Sequence, residues 1–218
     1  LLLTLVIGYL LGSISTGVIL SRVFGHKDIR NQGSGNSGTT NMLRVMGKKF
    51  ALLTFAGDLL KGIIAVLLSR GICELLHTGL TAQNDVHFIG YIAGIFAILG
   101  HVFPIYYHFK GGKGVLVGVS VFLGIDWKVF LCLIVIFAVV LAISKYVSLG
   151  SIIAAACCPV VTFLFQFWQR GDLPMWYLWL NTGLAALMGA WVIYMHRTNI
   201  QRLKAGNENK FSFHSKKA

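Results

Sequence analysis

The chain has 218 residues, 56% of them hydrophobic and only 12% charged, yet its net charge is +12 and its mean hydropathy is +0.74. Soluble domains carry roughly 25% charged residues, and one of this length cannot hide so much apolar surface. That excludes an ordinary water-soluble fold, a disordered chain and a nucleic-acid module. An integral membrane protein remains, and in that class a basic excess marks loops held on the cytoplasmic side.

A crossing helix needs ~20 mostly apolar residues. Five stretches qualify: Leu1–Ser21, Phe50–Ser69, His87–Phe109, Val147–Trp168 and Pro174–Met195. Two more are short, Val115–Ile125 and Val129–Ile143. The pattern predicts an all-α polytopic membrane protein of about seven transmembrane helices, two of them short. Five helices plus a re-entrant hairpin at Asp126-Trp127-Lys128 is the alternative, tolerated only where its backbone is buried in protein or lines a wet cavity. Either odd count puts the termini on opposite sides. Leu1–Ser21 reads as a retained span, too long for a cleaved signal peptide.

Placing the charges on this scheme puts 15 of the 19 basic residues on one side, in the loops after the first, third and fifth segments and in the tail. The other side receives Arg70, Lys128 and Arg170 against Glu74, Asp85, Asp126 and Asp172. The asymmetry orients the chain N-out, C-in. Residues 1–218 read as one membrane-embedded domain, with 205–218 a mobile cytoplasmic tail. Cys73, Cys132, Cys157 and Cys158 have no disulfide or metal spacing.

The basic loops also hold glycine and small polar residues. In Gly33-Ser34-Gly35-Asn36-Ser37-Gly38-Thr39-Thr40-Asn41-Met42-Leu43-Arg44, glycines allow close backbone approach, and Thr39 and Thr40 can cap a short helix. A Gly-rich turn feeding a helix N-terminus is an anion site, and Arg44 adds a bidentate phosphate clamp. A flexible turn between helices fits this stretch equally well.

Lys110-Gly111-Gly112-Lys113-Gly114, entered from Gly100-His101-Val102-Phe103-Pro104, again suits a phosphate. A loop that only anchors topology would need the charge but not the glycines. Ser148-Leu149-Gly150-Ser151 brings hydroxyls for a phosphate or a helix cap. At the exit of the last segment, His196, Asn199 and Arg202 form a row on one helix face. Its plainer alternative is an amphipathic tail on anionic lipid. Asp58 and Lys61, three apart inside the second span, read as an internal pair. There is no Gly-x-Ser-x-Gly elbow, no His-x-x-x-x-Asp and no His/Cys metal spacing.

In this order the clusters resemble one family, the bacterial acyl-phosphate:glycerol-3-phosphate acyltransferases (PlsY). The matching residues are Gly33-Ser34-Gly35-Asn36-x-Gly38-x-Thr40-Asn41-x-x-Arg44, Asp58-x-x-Lys61-Gly62, Gly100-His101-x-x-Pro104, Phe109-Lys110-Gly111-Gly112-Lys113-Gly114, Ser148-Leu149-Gly150 and His196-x-x-Asn199-Ile200-x-Arg202-Leu203. They run through nearly the whole chain. The resemblance implies transfer of a fatty acyl group from acyl phosphate to the 1-hydroxyl of sn-glycerol 3-phosphate, giving lysophosphatidic acid and phosphate. It also implies a bacterial cytoplasmic (inner) membrane location, an active site facing the cytoplasm, no cofactor and no metal. Expected partners are the two substrates, membrane lipid and, functionally, the enzyme supplying acyl phosphate.

Acyl phosphate is already activated, so no covalent acyl-enzyme is needed. The expected catalytic set is Lys113, Ser34, Arg44, His196 and Asn199. Lys113, with Lys110 and Ser148, would neutralise the departing phosphate, and Arg44, His196 and Asn199 would hold the acceptor. Gly35, Asn36, Gly38, Thr40, Asn41, His101, Gly111, Gly112 and Gly114 complete the expected substrate-binding set. The proton acceptor stays open between His196, His101 and the donor phosphate. A transporter or flippase for a phosphorylated or lipid substrate is the competing reading.

Overall fold

In a computed structural model, residues 1–76, 88–169, 171 and 174–211 are described. Asp85, Arg170, Asp172, Lys216 and Lys217 lie outside them. Among the described residues the chain is entirely helices and turns. In order these are α1 (Leu2–Ser13), α2 (Thr16–Gly25), α3 (Thr39–Met46), α4 (Lys48–Leu75), α5 (Phe88–Val102), α6 (Val115–Ile125), α7 (Trp127–Ser144), α8 (Val147–Gln169), α9 (Met175–Met195) and α10 (Arg197–Lys204). Six helical stretches are long and apolar enough to cross a membrane, counting Leu2–Gly25 as one, and α6 is a shorter apolar helix. The seven-segment expectation therefore holds, with one change. Only α6 is short: its 11 residues rise about 16 Å, while the 18 of α7 rise about 27 Å. The extra length of α7 comes from Asp126, which caps it by accepting from Lys128 N–H.

The first segment is interrupted. Ile14 and Ser15 are extended between α1 and α2, which frees the Ile14 carbonyl. The break falls within Gly12-Ser13-Ile14-Ser15-Thr16-Gly17, a short small and polar run that the hydropathy of the whole span averages away. Before the break, α1 packs very closely on α5. A Cβ on Gly8 would lie 2.6 Å from the Ala93 carbonyl oxygen, and one on Gly12 would lie 2.1 Å from that of Ala97. Small residues spaced four apart are how helices approach in lipid, where apolar side chains gain little by meeting.

The main core joins α4 through α9, with Val66, Tyr91, Ala97, Val117, Val121 and Val129 fully buried. The short α6 lies inside it, so its half-length is covered by protein. At the far end Arg70 donates to the Gly124 carbonyl and Lys128 to Gln169. A second, smaller cluster of Val18, Ile29, Met42 and Ala51 fastens the first long loop to α2 and α4.

Candidate active site

Three segments meet at the basic end. The first loop enters a 3-10 turn, Ile29–Asn31, capped by Asp28. Gly33 and Gly35 then take positive φ, and the loop closes on Asn41. The Asn41 amide donates to the carbonyls of Ile29, Gln32 and Asn36 and accepts from Ser34 N–H. Gly38, not Thr39 or Thr40, is the N-cap of α3, and its own N–H is taken by the Asn36 side chain. Asn41 and Asn36 thus build the loop, and the backbone N–H groups of Ser34, Gly35 and Gly38 already have partners within it.

Arg30 ties this loop to the second. Its guanidinium donates to the carbonyls of Tyr107 and Lys110 and pairs with Asp28 at 2.7 Å. The hydrogen bond from Arg30, offset in part by burial, holds the Asp28 carboxyl well below the usual carboxylate range. Between the loops lies a cleft of about 590 Å³ lined by Asp28, Arg30, Asn31, Gly35, Lys110 and Gly111, among others.

The second loop is glycine-rich for a packing reason. Gly111 N–H donates to the Val102 carbonyl and Gly112 N–H to that of His101, finishing α5. A Cβ on Gly111 would lie 1.9 Å from the His101 carbonyl oxygen, and one on Gly112 would lie 2.1 Å from His101 Nε2. These glycines seat the loop on His101 instead of offering amides to a ligand. His101 itself is buried, its Nδ1 2.8 Å from Lys61 Nζ.

Beyond this turn the Lys113 ammonium donates to Asn199 Oδ1. Burial, with the Arg202 charge nearby, lowers the Lys113 ammonium to about 8. His196 and Asn199 are both buried, one at the α9–α10 junction and the other on α10. His196 Nδ1 lies 2.7 Å from the Val192 carbonyl. A carbonyl only accepts, so Nδ1 carries the proton and Nε2 keeps its lone pair in the neutral ring. Burial lowers the ring to about 4, with the Lys113 charge adding to the effect.

Residues 205–211, read from sequence as the start of a mobile tail, turn back over this site. Glu208 accepts from Asn199 Nδ2 at 2.9 Å and from Arg202 at 2.8 Å, and Phe211 N–H donates to the Lys145 carbonyl. Burial alone would raise the Glu208 carboxyl, but the Arg202 and Asn199 hydrogen bonds hold it below its ordinary value. The Ser148 hydroxyl faces the same carboxylate, buried and without a well-angled hydrogen bond.

An apolar cavity of about 50 Å³ is lined by Ile98, Val115, Gly118, Phe122, Ser151 and Val192 among others. Val192 also supplies the carbonyl that holds His196, and Val115 follows the Lys113-Gly114 pair, so the cavity and the polar cluster adjoin.

Of the expected residues, Lys113, His196, Asn199 and Ser148 therefore gather at one point, while Gly35, Lys110 and Gly111 share the neighbouring cleft. Arg44 and Thr40 are exposed on α3, and Arg44 has no hydrogen bond or ion pair among the described residues. Asn41 and His101 face inward as scaffold. Arg30, Asp28 and Glu208 stand outside the set expected from sequence. Their signal was available: Asp28 and Glu208 are the two carboxylates among the basic loops and tail.

The comparisons with known proteins agree with one another. Residues 2–206 match the family model described as glycerol-3-phosphate acyltransferase. A protein of that name from Clostridioides difficile is 40% identical over 94% of this chain and 92% of its own length, and one from Staphylococcus haemolyticus is 40% identical over 96% of each. Two crystal structures are also similar. One, of PlsY, an integral membrane glycerol 3-phosphate acyltransferase, in its glycerol 3-phosphate form, is 34% identical with a TM-score of 0.78, over 97% of this chain and 95% of that one. The other, of its lysophosphatidic acid form, is 32% identical with a TM-score of 0.75 over the same shares. The chain belongs to the glycerol-3-phosphate acyltransferase family.

Proposed function

We propose that this acyltransferase takes its acyl group from acyl phosphate and passes it directly to the 1-hydroxyl of sn-glycerol 3-phosphate. The hydroxyl oxygen attacks the acyl carbon, the bond from that carbon to the phosphate oxygen breaks, and phosphate leaves with the proton. Lysophosphatidic acid is the other product. The observation that carries this reading is the polar cluster of Lys113, Asn199, His196 and Ser148 adjoining an apolar cavity. A reaction joining a fatty chain to a phosphorylated polyol needs those two environments side by side. Membership in an acyltransferase family replaces the transporter alternative.

The roles follow from charge. Lys113 neutralises the departing phosphate, and Asn199 holds that ammonium in place. The cleft of Arg30, Lys110 and Gly35 receives the acceptor's phosphate. A ring held at about 4 is a weak base near neutrality. His196 therefore orients the hydroxyl through Nε2, and the donor's own phosphate takes the proton. The mixed anhydride is activated already, so no enzyme nucleophile is required. A cavity of about 50 Å³ admits part of a fatty chain, so the remainder runs between helices toward lipid. The basic loops and tail lie in the cytoplasm of a bacterial inner membrane by the positive-inside rule, facing water-soluble glycerol phosphate.

Purified protein supplied with palmitoyl phosphate and glycerol 3-phosphate is expected to release phosphate and lysophosphatidic acid, and to be idle with palmitoyl-CoA. Turnover with the thioester and none with any acyl phosphate would overturn the donor assignment.

A further inference from the structure

Lys61 has no part in the chemistry above, yet it is 5% exposed and touches three elements. Its Nζ lies 2.7 Å from the Ile14 carbonyl oxygen at the α1–α2 break, 2.8 Å from His101 Nδ1 on α5, and 2.9 Å from Asp58 Oδ1 one turn earlier on α4. The ammonium donates to the first two and is paired by charge with the third, whose Oδ1 lacks a well-angled hydrogen bond; the three partners lie on three different helical segments. Buried ion pairs offset their desolvation poorly and are weak contributors to stability. Ionisable groups inside a membrane helix are costly as well. A geometric task accounts for this one better than stabilisation does.

The three contacts lead to the two loops that build the site. The Ile14 carbonyl is free only because the first segment breaks there, and from that break the chain runs through α2 into the first loop. His101 is the ring on which the second loop rests. Gly112 N–H donates to its carbonyl at 3.1 Å, and the space for a Cβ on Gly112 is filled by its Nε2. The next residue is Lys113. We infer that Lys61 is a positioning residue for acyl transfer. It fixes the His101 ring, which sets the height of Gly111-Gly112 and so aims Lys113 at Asn199. The same ammonium pins the start of the first loop. This rests on the reading that Lys113 neutralises the departing phosphate.

A double-mutant cycle tests it. Asp58→Asn/Lys61→Met removes the cation without leaving a buried carboxylate unpaired. In the otherwise unchanged protein the pair is expected to lower kcat/KM roughly tenfold or more; in a Lys113→Gln background it is expected to cost under about threefold, because interacting sites are not additive. Equal losses in both backgrounds overturn the inference and leave the Lys113 reading standing. If Lys113→Gln alone keeps wild-type kcat/KM, the Lys113 reading fails and this inference with it. If the paired variant does not fold, His101→Gln replaces it in the same cycle, with the same two outcomes. Failure of both variants to fold also overturns the inference, since their task would then be to hold the fold.

Discussion

The Lys113 ammonium donates to the side-chain oxygen of Asn199, joining the loop before α6 to the helix that continues α9. An ammonium has three protons, so this bond leaves others to donate to a phosphate. Removing one preorganised charge-stabilising donor typically costs about 10²–10³-fold in rate. Lys113→Gln is therefore expected to lower kcat/KM by about that factor, with Asn199→Ala showing a smaller loss in the same direction. Phosphate release from palmitoyl phosphate reads both. Wild-type turnover by Lys113→Gln would remove it from the mechanism.

The pH dependence follows from the same residue. In the proposed role Lys113 must be charged to neutralise phosphate, and in the free enzyme its ammonium is lowered to about 8. The kcat/KM profile is expected to fall on the alkaline side with a midpoint near 8. A bound phosphate favours the charged form, so the limb of kcat lies higher. Stability runs in the opposite sense. A lysine whose folded value is lowered from 10.5 costs stability while charged, so stability rises as pH climbs from about 8 to 10.5. His196, lowered from 6.5 to about 4, is bound neutral in the fold. Stability is lost as pH falls from 6.5 toward 4, because the unfolded chain takes up a proton that the folded ring refuses. Thermal melts of His196→Gln across that range are expected to be flatter than those of the wild type.

The helices are legible in the sequence because apolar length and positive-inside charge are strong local signals, and the residues of the polar cluster because they stand in the motifs that carry the family resemblance. What escaped depends on contacts between distant segments. The break at Ile14 lies in a short run of Gly, Ser and Thr whose polarity is lost in the average over an apolar span, and it is held by Lys61, 47 residues away. The Gly111-Gly112 pair read as a phosphate loop, yet its amides close α5 and its missing side chains make room for His101. Asn41 read as a ligand, and the structure uses its whole amide to shape the loop. Glu208 was hidden in a tail that composition alone marks as mobile, and only its fold-back gives it Arg202 and Asn199 as partners.

Arg30 links the two loops. Its fork pairs with Asp28 and reaches two carbonyls on the far side of the cleft. A lysine cannot reproduce that planar arrangement, and hydrogen bonds to charged groups contribute about 1.5–3 kcal/mol each. Arg30→Lys is expected to lower the Tm by several degrees and to raise KM for glycerol 3-phosphate more than it lowers kcat. Asp28 is held well below its ordinary value of 3.8 chiefly by Arg30. The stability it contributes is complete above that value and is lost as pH falls below it, so melts in this acid range are expected to be less pH-sensitive in Arg30→Lys. An unchanged KM would mean that the cleft between the loops does not receive the acceptor.

Gly118 offers a way to probe the seat of the acyl chain. It lines the apolar cavity, and a Cβ there would meet Ile98 Cδ1 at 3.3 Å and Val192 Cγ2 at 3.9 Å. One methyl is therefore accommodated by small side-chain shifts, while a larger group must enter the cavity itself. Gly118→Ala is expected to stay close to wild type. Gly118→Leu is expected to cost about 1–3 kcal/mol in stability from overpacking and to raise KM for palmitoyl phosphate well above that for octanoyl phosphate. KM for glycerol 3-phosphate should not move, because the cleft proposed for the acceptor lies on the polar side of Lys113. Equal effects of Gly118→Leu on both donors would place the chain elsewhere, between other helices of the bundle.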